Sequence, residues 1–329
     1  MVMAGTEARA SKVMRTLAVI LVVLLAAIPV LMAGCKSEIE VKALEESTAV
    51  VDAEGNVIEL ASPAEKIIVI APSALEIIDG LGAMDRVVEV DSYSVGAGDP
   101  LAEGFEGAGD SYGLNIERIA RLNPDILIAV TGGSEDDYQK VKELGIKIYR
   151  VININGIEGI YEEITNISKL IGLEDRGEKL VKELKEEVEE IHDKVKDLSS
   201  EDKPKVFYEV WNDPLMSAGT DTFINDLIEK SGGINIVAED NLTGWPEYSV
   251  ETLIKRNPDI IIAPVSLAAD PSVIINDTRF SSITAVIEGR VYLIPDNPVS
   301  RPSQNSIKAL QMLSKAIHPE IFGKFEIIE

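Results

Sequence analysis

Residues 114–130 read LNIERIARLNPDILIAV, and residues 248–264 read YSVETLIKRNPDIIIAP. The offset is 134, and seven of the seventeen positions are identical. Each copy opens on a helix-capping residue, Asn115 or Ser249, with a glutamate two positions on, Glu117 or Glu251. A short helical pattern follows, then Asn-Pro-Asp, then an apolar run. Proline after asparagine stops the helix ahead of the strand. The agreement of cap, glutamate, stop and strand is too long for a turn signal alone. It predicts two lobes built on one plan.

On either side of these modules, short apolar runs alternate with helical patterns. Ile67–Ile70, Val87–Val90, 126–130 and 146–151 form one series of strands; 206–210, 234–237, 260–263 and Val291–Ile294 form a second. Each run is apolar on both faces, as parallel strands covered by helices require. Ahead of the first series, TAVVDAEGNVIEL (48–60) places two β-branched runs around Glu54-Gly55-Asn56, a hairpin signal. Between the series, Leu180, Leu184, Val188, Ile191, Val195 and Leu198 recur at spacings of four and three. This predicts one long amphipathic helix over 174–198, ~35 Å in length. The expected fold is α/β: two Rossmann-like lobes, parallel sheets flanked by helices, joined by one long rigid α-helix. The domains are a leader over 1–34, a tether over 35–47, an N-terminal lobe over 48–156, an inter-lobe helical segment over 157–203 and a C-terminal lobe over 204–329.

Composition removes several classes of function. The chain has 329 residues, 46% hydrophobic and 26% charged, so it is globular with a sizeable core. Acidic residues outnumber basic ones 56 to 31, a net charge of −25, which argues against nucleic acid and anionic lipid as partners of the folded body. One cysteine and two histidines leave no basis for a disulfide framework, a Cys-rich zinc site or a His-cluster metal site. A GxG at Gly96 and Gly98 is followed by no helix pattern and is not a dinucleotide fingerprint.

The only cysteine, Cys35, has a telling position. Arg9, Lys12 and Arg15 precede an uncharged run, LAVILVVLLAAIPVLMA (17–33), which ends Leu31-Met32-Ala33-Gly34-Cys35. Basic, then apolar, then small is the order of an export signal. The end resembles a bacterial-type lipobox, in which the thiol is lipid-modified and becomes the new N-terminus; the usual leucine three residues before the cysteine is Met32 here. The other reading is an uncleaved N-terminal anchor. Either way the body is held outside the cytoplasmic membrane. Without residues 1–34, which carry net +2, the remaining 295 residues stand at −27.

Ligands of open α/β sheets bind beyond the carboxyl ends of the strands. The candidates there are Pro72 and Ser73 after the first strand, Tyr93 after the second, Trp211 after the first strand of the second lobe, and Trp245 ahead of the repeated helix. Each tryptophan either roofs its own lobe or offers an exposed ring to a large, flat, partly apolar ligand. Arg301 follows the last strand; it either pairs with surface carboxylates or acts as a cleft cation. Glu117 and Glu251 offset the positive end of a helix dipole, worth ~0.3–1 kcal/mol each, or do something more.

Taken together, SPAEKIIVIAPSALEIIDGLGAMDRVVEVDSYS (62–94), GLNIERIARLNPDILIA (113–129), WNDPLMSAGTDTFINDLIEKSGGINI (211–236), GWPEYSVETLIKRNPDIIIAP (244–264) and SRPSQNSIKALQMLSKAIHPEIF (300–322) resemble the extracytoplasmic solute-binding proteins of ABC importers. The resemblance is narrower with the cobalamin and iron-chelate group, and it covers about residues 48–325. It implies a ligand held between lobes, with Tyr93 and Trp245 at positions of ring contacts. The first lobe departs from the cobalamin pattern: where a tryptophan precedes Gly-Leu-Asn, this chain has Asp110-Ser111-Tyr112, so Tyr112 stands in one residue away. The resemblance implies that Glu117 and Glu251 dock onto arginines of a permease dimer coupled to its ATPase. The expected protein is a non-enzymatic, monomeric, lipid-anchored receptor without a resident cofactor or metal. Its ligand is cobalamin or another corrinoid; a ferric siderophore is the alternative, then haem, for which only a tyrosine could be an axial ligand. A chelatase-like enzyme and a chelate store without a permease are the readings from other classes.

If Cys35 carries the lipid, Cys35→Ala moves the protein from the membrane fraction to a soluble or unprocessed form. Unchanged membrane association, with no added mass on the wild-type protein, would rule lipidation out.

Overall fold

The structure is a computed structural model that describes residues 49–152 and 154–328; the leader, Cys35 and the tether lie outside the described residues. In the first lobe a hairpin of β1 (Val50–Val51) and β2 (Val57–Ile58) turns through Glu54-Gly55-Asn56. Asp52 ties the turn by accepting from the Glu54 and Asn56 N–H groups at 2.9 and 2.8 Å. Then follow β3 (Ile67–Ile70), α1 (Pro72–Gly80), β4 (Val87–Val90), α2 (Ser92–Ala97), the small hairpin β5 (Gly109–Asp110) and β6 (Gly113–Leu114), α3 (Ile116–Leu122), β7 (Ile126–Ala129), α4 (Glu135–Glu143) and β8 (Lys147–Arg150). The inter-lobe segment holds two helices, α5 (Ile157–Leu170) and α6 (Glu174–Asp193). The second lobe continues with β9 (Lys205–Tyr208), β10 (Trp211–Asn212), β11 (Leu215–Met216), α7 (Phe223–Lys230), β12 (Ile234–Asn235), α8 (Ile236–Glu239), α9 (Val250–Arg256), β13 (Ile260–Pro264), α10 (Ser272–Ile275), α11 (Thr284–Ile287), β14 (Val291–Ile294), α12 (Asp296–Ser300), α13 (Ser306–Ile317) and α14 (Pro319–Phe322).

Both lobes have a four-stranded parallel sheet with the same order. The first runs β4-β3-β7-β8 and the second β12-β9-β13-β14, so each places its second strand outside its first and its third inside. The repeat seen in the sequence is therefore a repeat of topology. Its Asn-Pro-Asp has a structural job in each copy. Asn123 and Asn257 end α3 and α9 in the left-handed conformation, at φ 46° and 47°. Asp125 then accepts from the Glu65 and Lys66 N–H groups, and Asp259 from that of Lys205, each at 2.8–2.9 Å. The aspartate thus pins the first strand of its lobe beside the third.

Alternation along the strands sorts the core. Ile67, Val69, Ile126 and Ile128 share one apolar cluster with Val206, Tyr208, Ile260 and Ile262 of the other lobe, by way of Ile160, Ile164, Leu184, Val188 and Leu313. Ile68, Ile70, Leu127 and Ala129 face a core private to the first lobe, and Phe207, Ile261 and Ala263 one private to the second. One face of each sheet is therefore committed to a core the lobes share. The expected long helix stops at Asp193, and turns carry the chain through 194–197; at 20 residues α6 is ~30 Å long. It does not bridge the lobes alone. Helix α5 packs on α1 of the first lobe, and α6 lies against α5 and against α7 and α13 of the second.

Polar fastenings reinforce this joint. Glu76 of α1 is buried, and accepts from Ser303 Oγ at 2.5 Å and Asn305 Nδ2 at 2.9 Å, while its main-chain oxygen accepts from Gln304 Nε2 at 2.6 Å. Arg301 Nη1 lies 3.6 Å from Glu76 and bonds Asp99. At the other end, α5 begins at Gly156, which has no side chain to cap it; Asp226 of α7 accepts from the Ile157 N–H at 2.8 Å instead. Lys230 pairs with Glu158 at 3.1 Å beside it.

Glu163 of α5 is 1% exposed. Its Oε2 accepts from the Tyr149 hydroxyl and the Ile152 N–H, both at 3.0 Å, and so holds the strand that leads out of the first sheet. Burial pushes its carboxyl up to about 7 from an ordinary 4.5. The folded state then holds a proton that the unfolded chain gives up across this window, so stability falls as pH rises from about 4.5 to about 7, by about 3 kcal/mol from this group. Glu163→Gln keeps an acceptor without the titration. Denaturant unfolding at several pH values should show a flatter slope for the variant across that window; parallel slopes would exclude Glu163 as the source.

Candidate functional site

A cavity of about 510 Å³ opens at the carboxyl ends of the second sheet. Tyr208 and Val210 leave β9 into its wall, Pro264 ends β13 there, and Asp296 follows β14. Asp221 and Thr222 come from the start of α7, and Asn155 from the crossover between lobes. Trp245 completes the wall, about half exposed. The volume falls within the ~300–1,000 Å³ of small-molecule sites.

A three-stranded antiparallel ribbon carries the tryptophans. In the β10–β11 hairpin Trp211 lies opposite Met216, which in turn bridges Glu247. The ladder continues: the N–H groups of Tyr248, Ser217 and Gly219 donate to the carbonyls of Leu215, Pro246 and Gly244. Pro246 lacks an N–H and occupies a place where its carbonyl alone is used. This register sets Trp245 opposite Ala218, two residues along from Met216. Trp211 and Trp245 therefore share a face of the ribbon, ~12 Å apart at Cα from strand spacing and rise.

Trp211 is 56% exposed, and its indole N–H donates to Asp213 O at 3.0 Å. The neighbouring Asn212 is gripped from both sides. Its Nδ2 donates to Glu209 Oε1 at 2.8 Å, and Arg279 Nη2 donates to its Oδ1 at 2.8 Å. Arg279 is in turn held by Asp277 at 2.6 Å and keeps the Asp277 carboxyl below its ordinary range. Glu209 is fully buried, and burial pushes its carboxyl up, offset in part by Asn212 and Arg279. An amide with both ends fixed holds the hairpin that presents Trp211.

The other expected residues fall in three places. Pro72 and Ser73 are the first two residues of α1, half-buried at the end of β3. Tyr93, on α2 after β4, is 65% exposed, and Tyr112, at the tip of the β5–β6 turn, is 94% exposed. All four belong to the carboxyl edge of the first sheet and none lines the cavity described above. Of the expected ligand residues that cavity takes in Trp245. Arg301 sits beside it, next to Pro302 of the wall, but its guanidinium turns to Glu76 and Asp99. In this structure that charge is held by two carboxylates, the first of the two readings open to Arg301, and because both belong to the other lobe the arginine joins the lobes.

Glu117 and Glu251 occupy the same position, second in the first turn of α3 and of α9, and both are exposed. The caps are Asn115, accepting from the Arg118 N–H at 3.0 Å, and Ser249, accepting from that of Thr252 at 3.1 Å. Capping therefore does not depend on either glutamate.

Sequence reasoning missed Asp221, Asp296 and Asn155. Asp296 stood within reach of the same strand-end rule that picked out Pro72 and Tyr93, since Val291–Ile294 runs straight into Pro295-Asp296. Nothing local singles out Asp221 or Asn155. Among the described residues no three of His, Cys, Asp and Glu converge where a metal could sit.

Known proteins fit this architecture. The sequence profile of the family described as periplasmic binding protein matches residues 67–298. Over 278 residues the chain is 29% identical to an uncharacterized ABC transporter substrate-binding lipoprotein of Bacillus subtilis (strain 168), covering 82% of this chain and 85% of that one. A cobalamin-binding protein of Halobacterium salinarum (strain ATCC 29341 / DSM 671 / R1) is 26% identical over 278 residues, 81% of this chain and 73% of its own. A crystal structure of a possible iron-binding (periplasmic solute-binding) protein from Staphylococcus epidermidis superposes with a TM-score of 0.68 at 29% identity, over 78% of this chain and all of the other. With the profile spanning most of the sequence and both lobes repeating one strand order, this chain belongs to the periplasmic binding protein family.

Proposed function

We propose that this protein captures a corrinoid outside the cytoplasmic membrane and delivers it to an ABC permease dimer driven by its ATPase. The observation that carries the reading is Trp245, half exposed on the wall of a strand-end cavity, with Trp211 on the same ribbon face. Rings held open to solvent leave apolar area for a large flat ligand to cover. Tyr93 and Tyr112 add exposed rings on the edge of the other lobe. The relative from Halobacterium salinarum bears the name cobalamin-binding protein, which supports the same ligand class. The name of the Staphylococcus epidermidis protein favours an iron chelate as the second reading.

Binding, not catalysis, is the role that suits these groups: the cavity wall offers rings, amides and carboxylates, and neither histidine of the chain lies on it. Glu117 and Glu251 stand at matching points of the two lobes, which suits a permease with two equivalent halves. The lipid on Cys35 tethers a monomeric receptor near that permease.

Fluorescence titration of the purified protein with cyanocobalamin tests the ligand. Trp245→Ala should weaken binding by ~1–3 kcal/mol, the range for removal of an aromatic anchor, with a smaller loss of stability than a buried core residue would cause. Wild-type affinity alongside a collapsed melting temperature would make the ring mere roofing.

Docking is read separately. Glu117→Lys and Glu251→Lys should each impair uptake in reconstituted vesicles while ligand affinity in solution stays unchanged, and the double change should be worse than either, because each sets a like charge against a permease arginine. Uptake at the wild-type level in the double variant would reduce both glutamates to helix-dipole residues.

A further inference from the structure

We infer that the cavity selects its ligand by charge: it takes a neutral or cationic chelate rich in N–H donors and turns away anionic ones. This rests on the reading of that cavity as the ligand site. Two carboxylates line it, Asp221 and Asp296, and among the described residues no lysine, arginine or histidine does. Both are built in as turn ties. Asp221 Oδ1 accepts from the Gly244 N–H at 2.5 Å and so fixes the strand that carries Trp245. Asp296 accepts from the Ser266 N–H at 3.2 Å and from its hydroxyl. The fold therefore keeps two acids in the wall.

Arg301, next to Pro302 of the wall, is held by Glu76 and Asp99, and Arg279, beside the Trp211 hairpin, by Asp277. A concave wall of one sign, in a chain of net charge −25, focuses a negative potential on whatever enters. The Trp245 ring face adds an attraction for positive charge. Carboxylates also accept hydrogen bonds from primary amides, the groups that fringe a corrin ring. They repel the oxygens of a catecholate chelate or the propionates of haem. One unit of ligand charge at the separations of such a cavity should change the dissociation constant by about tenfold.

The test is a titration of the purified full-length protein, at low and high salt, with five probes. These are aquacobalamin below the pKa of its bound water (cationic), cyanocobalamin (neutral), a cationic trihydroxamate ferric chelate, a triscatecholate ferric chelate (strongly anionic) and haem. We expect aquacobalamin to bind about tenfold tighter than cyanocobalamin, salt to narrow the gap, and the two anionic probes not to bind. In the Asp221→Asn, Asp296→Asn variant the amide oxygens still accept from the Gly244 and Ser266 N–H groups, and the new amide N–H of residue 296 donates to the Ser266 hydroxyl, so the wall keeps its ties. That variant, with a wild-type circular dichroism spectrum, should bring the ratio of the two cobalamin dissociation constants from about tenfold to within about twofold of one. Anionic probes that bind as tightly as the others, or a charge preference that survives in the variant, would overturn the inference. Binding of the cationic trihydroxamate without either cobalamin would leave the charge rule standing and sink the corrinoid reading; no binding by any probe would sink both.

Discussion

The buried carboxylate of Glu76 decides how the two lobes meet. It sits in the middle of the first helix of one lobe and accepts from Ser303 and Asn305 of the other, with Arg301 3.6 Å away and shared with Asp99. A charge taken out of water is tolerated only with this many partners, and removal of one partner from such a set typically costs ~3–5 kcal/mol. The partners all come from one short stretch, 301–305, between the last strand-end helix and α13. That stretch also borders the cavity, through Pro302. One edge of the cavity and the joint between lobes thus share this stretch.

The shared apolar core makes the joint continuous rather than a point contact. Each sheet gives one face to it and keeps the other private. Helices α5 and α6 fill the space between, and Asp226 of the second lobe caps α5. Sliding one lobe over the other would uncover apolar area and break that cap together. An architecture of this kind presents its strand ends at a nearly fixed spacing, which suits a rigid ligand with a broad face.

Within the second lobe, positions are fixed by backbone pairing and by polar ties. The ribbon of β10, β11 and 242–248 sets the two tryptophans on one face. Asn212, held by Glu209 and Arg279, anchors one end of it; Asp221, on the Gly244 N–H, anchors the other. The acids that shape the site also charge it. The two aspartates on the wall are thus also the ties that fix its loops.

Much of the fold was legible in the sequence because it is written locally. Apolar runs of four residues, capping residues and the repeated Asn-Pro-Asp act over a few positions, and they returned the two sheets, the two-lobe plan and the exposed first-turn glutamates; of the expected strand 234–237 only Ile234–Asn235 is strand, and Ile236 opens α8 because Asn235 caps it by accepting from the Val237 N–H. The helix periodicity ran to Leu198, past the observed end at Asp193, because buried Val195 keeps the apolar spacing in a turn that is no longer helical. The exposure of Trp211 and Trp245 matches the second of the two readings that their sequence setting left open. What tertiary structure alone decided are pairings over long separations. Asp99 lies 202 residues before Arg301 and Glu76 lies 227 before Ser303, and no local pattern announces either. An arginine after a strand reads the same whether it will meet a ligand or a carboxylate of the other lobe. The same holds for Asp221 and Asn155, which reach the cavity through the packing of α7 and the crossover. Periodicity records which side of an element is buried; it does not record what is buried against it, and the site of this protein is built from that second kind of information.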